Sequence, residues 1–237
     1  MRRIAAAFAV IALLGASSTT VERIGRTRAA IVLPDAKAIG SVILIPGGNT
    51  LLTIDDRGGT DSGNFVIRTR QAYVDAGFAI AFLDDPSDLG PIIARMRAVA
   101  RPVFLLGTSN GTAVAAISAA RLGADGPDGV VLTSTVTRGS GLYPYSAASA
   151  DFGRIAIPVL FVDNRNDDCR ASPPSGVAGL MARLPKGADV TRIEVSSART
   201  TDDPCGPWAP HGYLGIESDV VAKIISWMRA HGAQGAG

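Results

Sequence analysis

Short apolar runs alternate along the chain with longer segments in which apolar residues recur every three or four positions. A short run that is apolar at every position is typical of a strand buried on both faces of a sheet. Regular alternation of such strands with helices predicts a parallel sheet covered by helices on both faces. The predicted strands cover residues 41–46, 78–83, 102–107, 129–134 and 158–163, with a weaker sixth at 191–195.

The helical segments fall between these strands and after the last one. Their predicted ranges are 64–77, 88–100, 111–123 and 215–231, and the last places Ile216, Val220, Ile224 and Trp227 on one face. Residues 31–33 predict an antiparallel strand that turns at 34–37 into the first central strand, so the sheet is mostly parallel with an antiparallel N-terminal edge. The connection 135–157 has no strong helical period and is too short for a large lid domain.

The N-terminal segment has the pattern of a secretory signal peptide, predicted at residues 1–18. Two arginines precede an apolar run from Ile4 to Ala16, and small residues suited to signal peptidase follow. The run is shorter than the roughly 20 apolar residues that span a bilayer. We therefore expect cleavage after Ala16 or Ser18, a periplasmic or secreted protein that is not held at a membrane, and one domain at residues 19–237.

Composition agrees with a single globular domain, because 237 residues with 47% hydrophobic and 19% charged side chains can form one core. The formal net charge is +2, and loss of Arg2 and Arg3 with the signal peptide would bring it to zero. The charges are interspersed, so no basic stripe marks the protein as a nucleic-acid partner.

The only two cysteines, Cys169 and Cys205, are expected to form a disulfide in an oxidising compartment. They lack the histidine spacing of a zinc site. The sequence accordingly predicts neither a metal nor a cofactor.

Ser109 lies between Gly107 and Gly111, directly after one predicted strand and before the next helix. Ligands of such sheets bind at the carboxyl ends of the strands, where this turn lies. A nucleophile in the pattern G-x-S-x-G has a strained backbone, and its strand and helix approach so closely that flanking side chains would clash. The pattern is short, so the alternative is a small residue in a tight turn.

A serine nucleophile needs a base, usually a histidine oriented by a carboxylate. His211 lies in the loop between the final strand and the final helix, whereas His231 is interpreted as a solvated residue at the chain's end. His211 has the alternative role of a loop residue that caps the last helix. Three carboxylates after the strand 158–163 are candidates for the acid, and at least two of them must be turn residues: Asp163, Asp167 and Asp168.

Serine, aspartate and histidine therefore follow three different strands in the chain order of α/β hydrolases. From about residue 29 to 229 the chain resembles bacterial exported α/β hydrolases of the serine type. The likeness is carried by "LIPGGN", "GNFVIRTRQAYVDAGFAIAFLDDPSD", "GTSNGT", "PVLFVDNRNDDC" and "HGYLGIE". The likeness implies the α/β-hydrolase fold. In such families the acid lies four residues after a histidine at the end of the strand. Asp163 stands at the position of that histidine, so the spacing favours Asp167 as the acid. Asp163 and Asp168 remain the alternatives.

A tetrahedral intermediate also needs hydrogen-bond donors for its oxyanion. We expect the N–H of Asn110, directly after the serine, to be one donor. The loop "PGGNT" after the first central strand would provide the second, at Gly48 or else at Asn49. Adjacent glycines are also found in plain turns, which is the alternative for this loop.

The leading functional hypothesis is cleavage of a carboxylic ester of a small molecule through an acyl-enzyme. Peptidase, thioesterase and acyltransferase activities use the same residues and remain open. A non-catalytic binding protein is the alternative from a different class, because one fold hosts many functions. The aromatic residues Trp208, Tyr143 and Tyr145 are expected to pack the loops around the site, and the sequence indicates neither a substrate nor an oligomeric state.

Overall fold

The computed structural model describes residues 17–139, 146–197 and 203–232. Tyr143 and Tyr145 lie outside the described residues. The predicted signal peptide also lies outside them, except for Ser17 and Ser18. Among the helices that are described, none combines the length and the apolar character needed to cross a bilayer.

The described residues form one eight-stranded sheet in the order β1-β2-β4-β3-β5-β6-β7-β8. The last six strands in this order, β4-β3-β5-β6-β7-β8, are parallel to one another. The first two, β1 and β2, add an antiparallel edge. The sheet is therefore mostly parallel, as the alternating pattern predicts. The strands are β1 (Ser18–Ile24), β2 (Thr27–Leu33), β3 (Ser41–Ile45), β4 (Ala79–Leu83), β5 (Val103–Thr108), β6 (Gly129–Thr133), β7 (Val159–Asn164) and β8 (Val190–Val195).

Helices cover both faces of this sheet. The described α-helices are α1 (Phe65–Arg68), α2 (Arg70–Asp75), α3 (Gly90–Val99), α4 (Asn110–Leu122), α5 (Val177–Met181) and α6 (Glu217–Gly232). The single helix predicted at 64–77 is broken at Thr69, whose hydroxyl donates to the carbonyl of Phe65 (2.7 Å). Such back-bonding by threonine bends helices. The sequence pattern also missed α5, which has only five residues.

Alternate residues of each central strand pack into two separate apolar layers, because successive side chains of a strand point to opposite faces. On one face Ile43 and Leu105 belong to the layer that α3 and α4 cover. On the other face Leu44 and Leu106 belong to the layer that α1, α2 and α6 cover. The strands are thus apolar at every position because both faces are buried.

The N-terminal edge differs from the prediction in two respects. β2 is antiparallel as expected, but it does not pair with the first central strand: Val32 and Val42 both lie opposite Ile80, on either side of β4. The strand β1 was not predicted. Most of its side chains are exposed or half-buried, so it carries little apolar pattern.

The described residues of the connection from β6 to β7 form no large lid. They form two short 3₁₀ helices, Ala147–Ser149 and Phe152–Arg154. The Phe152 ring packs on the ring of Phe161 in β7, with centroids 6.3 Å apart. This packing holds the end of the connection against the sheet.

The passage from β5 into α4 is a crowded turn. A Cβ atom added at Gly107 would lie 2.4 Å from the carbonyl oxygen of Gly111, and one added at Gly111 would lie 2.3 Å from the carbonyl oxygen of Ile45. Both distances are far below van der Waals contact. Only glycine at these two positions allows the end of β5, the start of α4 and the end of β3 to approach this closely.

We expect Gly111→Ala to lower the free energy of unfolding by about 3 kcal/mol or more, since backbone would have to move to admit the methyl group. Gly179→Ala is the matched control, because Gly179 lies in α5 with nothing within 4 Å of an added Cβ. That change should raise the free energy of unfolding by up to about 1 kcal/mol through helix propensity. Guanidinium denaturation measures both, and equal stability of the two variants would contradict the packing argument.

Candidate active site

Ser109 occupies the turn between β5 and α4 in a strained conformation, with φ 52° and ψ −126°. Few residues other than glycine adopt a positive φ, so the surrounding contacts must hold it. Its N–H donates to the carbonyl of Thr133 (3.0 Å), and its carbonyl accepts from the N–H (2.9 Å) and the hydroxyl (2.6 Å) of Thr112. The side chain is thereby fixed at the carboxyl end of the sheet.

A cleft of about 360 Å³ lies over this turn, and both Ser109 and His211 line it. One wall is the loop after β3. A Cβ atom added at Gly47 of this loop would lie 2.7 Å from the Cβ of Ser109. Glycine at this position therefore lets the loop lie directly beside the serine side chain.

His211 lies in the 3₁₀ turn Pro210–Gly212, and its side chain is buried. Its Nδ1 atom is 2.9 Å from Oδ2 of Asp167. Its Nε2 atom is also buried and has no hydrogen-bond partner among the described residues. A carboxylate on Nδ1 favours the tautomer with the proton on that atom, which leaves Nε2 as a base.

The structure distinguishes the three candidate carboxylates. Asp167 is buried against His211, and its second oxygen accepts from the N–H of Cys169 (2.9 Å). Asp168 is exposed. Asp163 is buried but pairs with Arg192 (2.9 Å), and burial raises its pKa to about 6 even though the guanidinium acts in the opposite direction. Of the three, Asp167 is the one hydrogen-bonded to the imidazole.

His211 belongs to the loop between β8 and α6, called the histidine loop below. Buried polar side chains at the ends of β6 and β7 hold this loop in place. The hydroxyl of Ser134 donates to the carbonyl of His211 (2.7 Å). The hydroxyl of Tyr213 donates to the carbonyl of Val162 (2.7 Å) and accepts from the N–H of Ser134 (2.9 Å). Burial raises the pKa of Tyr213 well above its usual range, so the phenol stays protonated as this donor.

Asn164 makes a second connection of this kind from the end of β7. It is fully buried, and its Nδ2 atom donates to the carbonyl of Pro210 (2.8 Å) and to the hydroxyl of Ser197 (2.9 Å). Sequence reasoning missed Asn164, Ser134 and Tyr213. The only signal was the position of the first two at strand carboxyl ends, because hydrogen bonds to distant backbone carbonyls leave no local pattern.

Arg68 connects the opposite side of the histidine loop to α1. Its guanidinium donates to the carbonyl of Gly212 (2.6 Å), pairs with Glu217 (3.0 Å) and lies 4.6 Å from the ring of Trp208. Trp208 rests on Arg68 and on Gly63, as expected for a loop-packing residue, yet it stays 54% exposed.

The prediction that His231 is solvated is wrong. Its ring stacks on Trp227 (4.1 Å between centroids), Nδ1 is 2.7 Å from the carbonyl of Trp227, and Nε2 is 3.2 Å from Asp189. These contacts close the end of α6 against the strand β8. His231 does not line the cleft.

The two expected oxyanion donors lie on segments that touch each other. Asn110 is the first residue of α4, where backbone N–H groups lack intrahelical partners. Its side-chain Nδ2 donates to the carbonyl of Gly48 (2.6 Å). Gly48 has φ 66° and lines the cleft, so glycine suits its backbone conformation. Asn49, the alternative, is exposed at the tip of the same loop.

The predicted disulfide is present in the structure. It joins Cys169, in the loop that follows β7 and carries Asp167 (the acid loop), to Cys205 in the histidine loop. Cys169 Sγ, a carboxylate oxygen of Asp167 and a ring nitrogen of His211 all lie within 4.8 Å of one another. This is the one group with metal-ligand geometry in the part of the chain that the structure describes. Because the sulfur of Cys169 is bonded to that of Cys205, this group offers no thiolate to a metal.

Neither a protein-family model nor a curated protein matches the sequence. Solved structures with similar architecture include MGS-M1, an α/β hydrolase from a deep-sea metagenome library (14% identity, TM-score 0.61, covering 88% of this chain and 96% of that one). Est1E from Butyrivibrio proteoclasticus aligns at 13% identity with TM-score 0.63, over 92% and 99% of the two chains. A carboxyl esterase from Bacillus coagulans aligns at 14% identity with TM-score 0.57, over 92% and 99%. These likenesses establish the architecture: the chain has the α/β-hydrolase fold.

Loss of the disulfide should lower the free energy of unfolding by about 3 to 4 kcal/mol, because the bridge closes a loop across a sequence separation of 36 residues. We expect this difference between the wild type and the variant Cys169→Ser/Cys205→Ser in denaturant. Adding reductant should destabilise the wild type and leave the double variant unchanged. Separate, alkylatable cysteine peptides from protein folded under oxidising conditions would contradict the bridge.

Proposed function

We propose that the protein is a serine hydrolase that cleaves a carboxylic ester of a small molecule through an acyl-enzyme. The observation that carries the proposal is the buried hydrogen bond between His211 and Asp167 beside Ser109. His211 and Ser109 line the same cleft, and Nε2 of His211 has no hydrogen-bond partner among the residues that the structure describes. One structure of the same fold, from Bacillus coagulans, is described as a carboxyl esterase, which agrees with this chemistry.

Acylation would begin with attack of the Ser109 hydroxyl oxygen on the ester carbonyl carbon. His211 Nε2 takes the hydroxyl proton, and the carbonyl electron pair moves to oxygen as an oxyanion. The N–H groups of Asn110 and Gly48 donate to this oxyanion. When the intermediate collapses, the bond to the alcohol oxygen breaks, and the imidazolium returns its proton to the leaving alcohol.

Deacylation repeats these steps with water in place of the serine. His211 accepts a proton from water, whose oxygen attacks the acyl carbon, and the same proton then returns to the Ser109 oxygen as the acid is released. Asp167 keeps the imidazole in the required tautomer and stabilises its positive charge in both half-reactions. The strained turn at Ser109 supports the role of this serine as the nucleophile, because it holds the side chain in place before substrate arrives.

The dimensions and lining of the cleft support a small, fairly polar substrate. Its volume is about 360 Å³, and glycine, proline, asparagine and serine contribute much of its wall. Leu51 and Phe65 are the large apolar side chains among the described residues that line it. These residues offer little apolar surface to a long acyl chain, so we propose a short acyl group.

We also propose that the protein works outside the cytoplasm, as a periplasmic or secreted enzyme. Two features support this location: the signal-peptide pattern of residues 1–18 and the disulfide, which persists in oxidising compartments. Its partner is then a small-molecule ester rather than a nucleic acid or a membrane.

Ser109→Ala should abolish both labelling by a fluorophosphonate probe and hydrolysis of p-nitrophenyl acetate, since alanine has no hydroxyl group to take the acyl group. Ser118→Ala is the matched control, because Ser118 is buried in α4, the helix that follows Ser109, but does not line the cleft. The control should label like the wild type. Full labelling of Ser109→Ala would refute the assignment of the nucleophile.

Asp167→Asn should lower kcat by roughly 10³-fold or more, because an amide favours the wrong imidazole tautomer. Asp168→Asn should retain wild-type kcat, since Asp168 is exposed. Asp163→Asn should have a smaller effect than Asp167→Asn, because its partner is Arg192. Steady-state hydrolysis of p-nitrophenyl acetate measures all three, and an unchanged kcat in Asp167→Asn would transfer the role to another carboxylate.

A further inference from the structure

The side chain of Asn64 carries an amide group into the cleft next to Ser109. Asn64 directly precedes α1, and its Oδ1 atom accepts from the N–H of Val66 (3.3 Å), which makes it the N-cap of that helix. An amide group is planar, and its oxygen and nitrogen lie on opposite sides of the side chain. With Oδ1 held by the helix, Nδ2 is directed away from it, and Asn64 lines the cleft.

Gly47 shows where this amide nitrogen lies relative to the serine. A Cβ atom added at Gly47 would lie 3.3 Å from Nδ2 of Asn64 and also 3.3 Å from the hydroxyl oxygen of Ser109. The amide nitrogen and the hydroxyl are thus close to the same face of Gly47, directly before the proposed donor Gly48. Within the described part of the chain, Nδ2 has no hydrogen-bond acceptor.

The backbone of this segment is fixed independently of any ligand. The carbonyl of Asn64 accepts from the N–H groups of Ile67 (3.1 Å) and Arg68 (2.9 Å), and its own N–H donates to the hydroxyl of Ser62 (3.3 Å). The guanidinium of Arg68 also holds the carbonyl of Gly63 (2.8 Å). A donor positioned in this way requires little reorganisation during a reaction.

The next residue ties the segment to the histidine loop. Phe65 is buried, and its ring centroid lies 4.7 Å from that of Tyr213. Tyr213 in turn is hydrogen-bonded to the backbone at the ends of β6 and β7. The segment that carries Asn64 therefore packs against the loop that carries His211.

We propose that Asn64 is a catalytic residue: its Nδ2 donates a hydrogen bond to the carbonyl oxygen of the bound ester as that oxygen becomes an oxyanion. It would act as a third donor, with the backbone N–H groups of Asn110 and Gly48. This inference rests on the proposed ester hydrolysis. Since it is the one side-chain donor of the three, it can be removed by substitution without altering the backbone.

Asn64→Ser separates catalysis from capping, because serine is also a good N-cap but has no amide donor. We expect kcat and kcat/KM for p-nitrophenyl acetate to fall together by about 10²-fold, as for removal of an interaction made only in the transition state. The thermal midpoint should stay at the wild-type value. Asn64→Asp also keeps the cap but places a carboxylate beside the oxyanion, so its kcat should be lower still.

Asn64→Ala serves as the control for capping, since it loses both the cap and the donor. Its thermal midpoint should fall, while its kcat should match that of Asn64→Ser. Wild-type kcat in Asn64→Ser would overturn the proposal and leave Asn64 as a helix cap alone. A raised KM with unchanged kcat in Asn64→Ser would also overturn it, because the amide would then bind substrate and transition state equally.

The wild type distinguishes failure of this inference from failure of the proposed function. If the wild type neither reacts with the fluorophosphonate probe nor hydrolyses p-nitrophenyl acetate, the proposed hydrolase function fails, and the role of Asn64 fails with it. If the wild type is active and Asn64→Ser is equally active, the inference about Asn64 alone fails.

Discussion

The close approach of three backbone segments at one point is the constraint on which the rest of the site depends. Added Cβ atoms at Gly107 and Gly111 would collide with backbone carbonyl oxygens at 2.4 Å and 2.3 Å. Because these two positions lack side chains, α4 starts directly at the end of β5 and against the end of β3. Ser109 is then forced into a left-handed conformation, and the loop after β3 lies beside it. The strain at Ser109 is therefore sustained by the packing of the whole sheet edge.

A second set of buried contacts sets the position of His211 relative to that turn. Two buried side chains at the ends of β6 and β7, those of Ser134 and Asn164, donate hydrogen bonds to backbone carbonyls of the histidine loop. In the opposite direction, Tyr213 of that loop donates to the backbone of β7. A buried polar group is costly unless it is paired, so the loop has few alternative positions. The disulfide adds a covalent connection between this loop and the acid loop. The imidazole is thus held by the sheet rather than by its own loop alone.

Strand positions and most helix positions were predictable, because burial on both faces produces uninterrupted apolar runs that helical periods separate. β1 was missed since its side chains are largely exposed, and the pairing of β2 with β4 was missed since apolar pattern does not specify a neighbour. The positions of Ser109, His211 and three aspartates after the strands were also predictable. The contribution of Asn64 was not, because an N-cap and a donor to substrate have the same sequence signal.

The sequence by itself determined the α/β architecture and the order of serine, aspartate and histidine at the carboxyl ends of three strands. These are local properties, since apolar runs and short motifs reflect the surroundings of adjacent residues. Only the tertiary structure decided that Asp167 contacts His211 while Asp163 pairs with Arg192 and Asp168 faces solvent. The three aspartates lie within six residues of one another, and what separates them is how β8 and the histidine loop pack beside β7. Contacts between segments so distant along the chain leave no trace in local sequence, because they depend on which strands become neighbours.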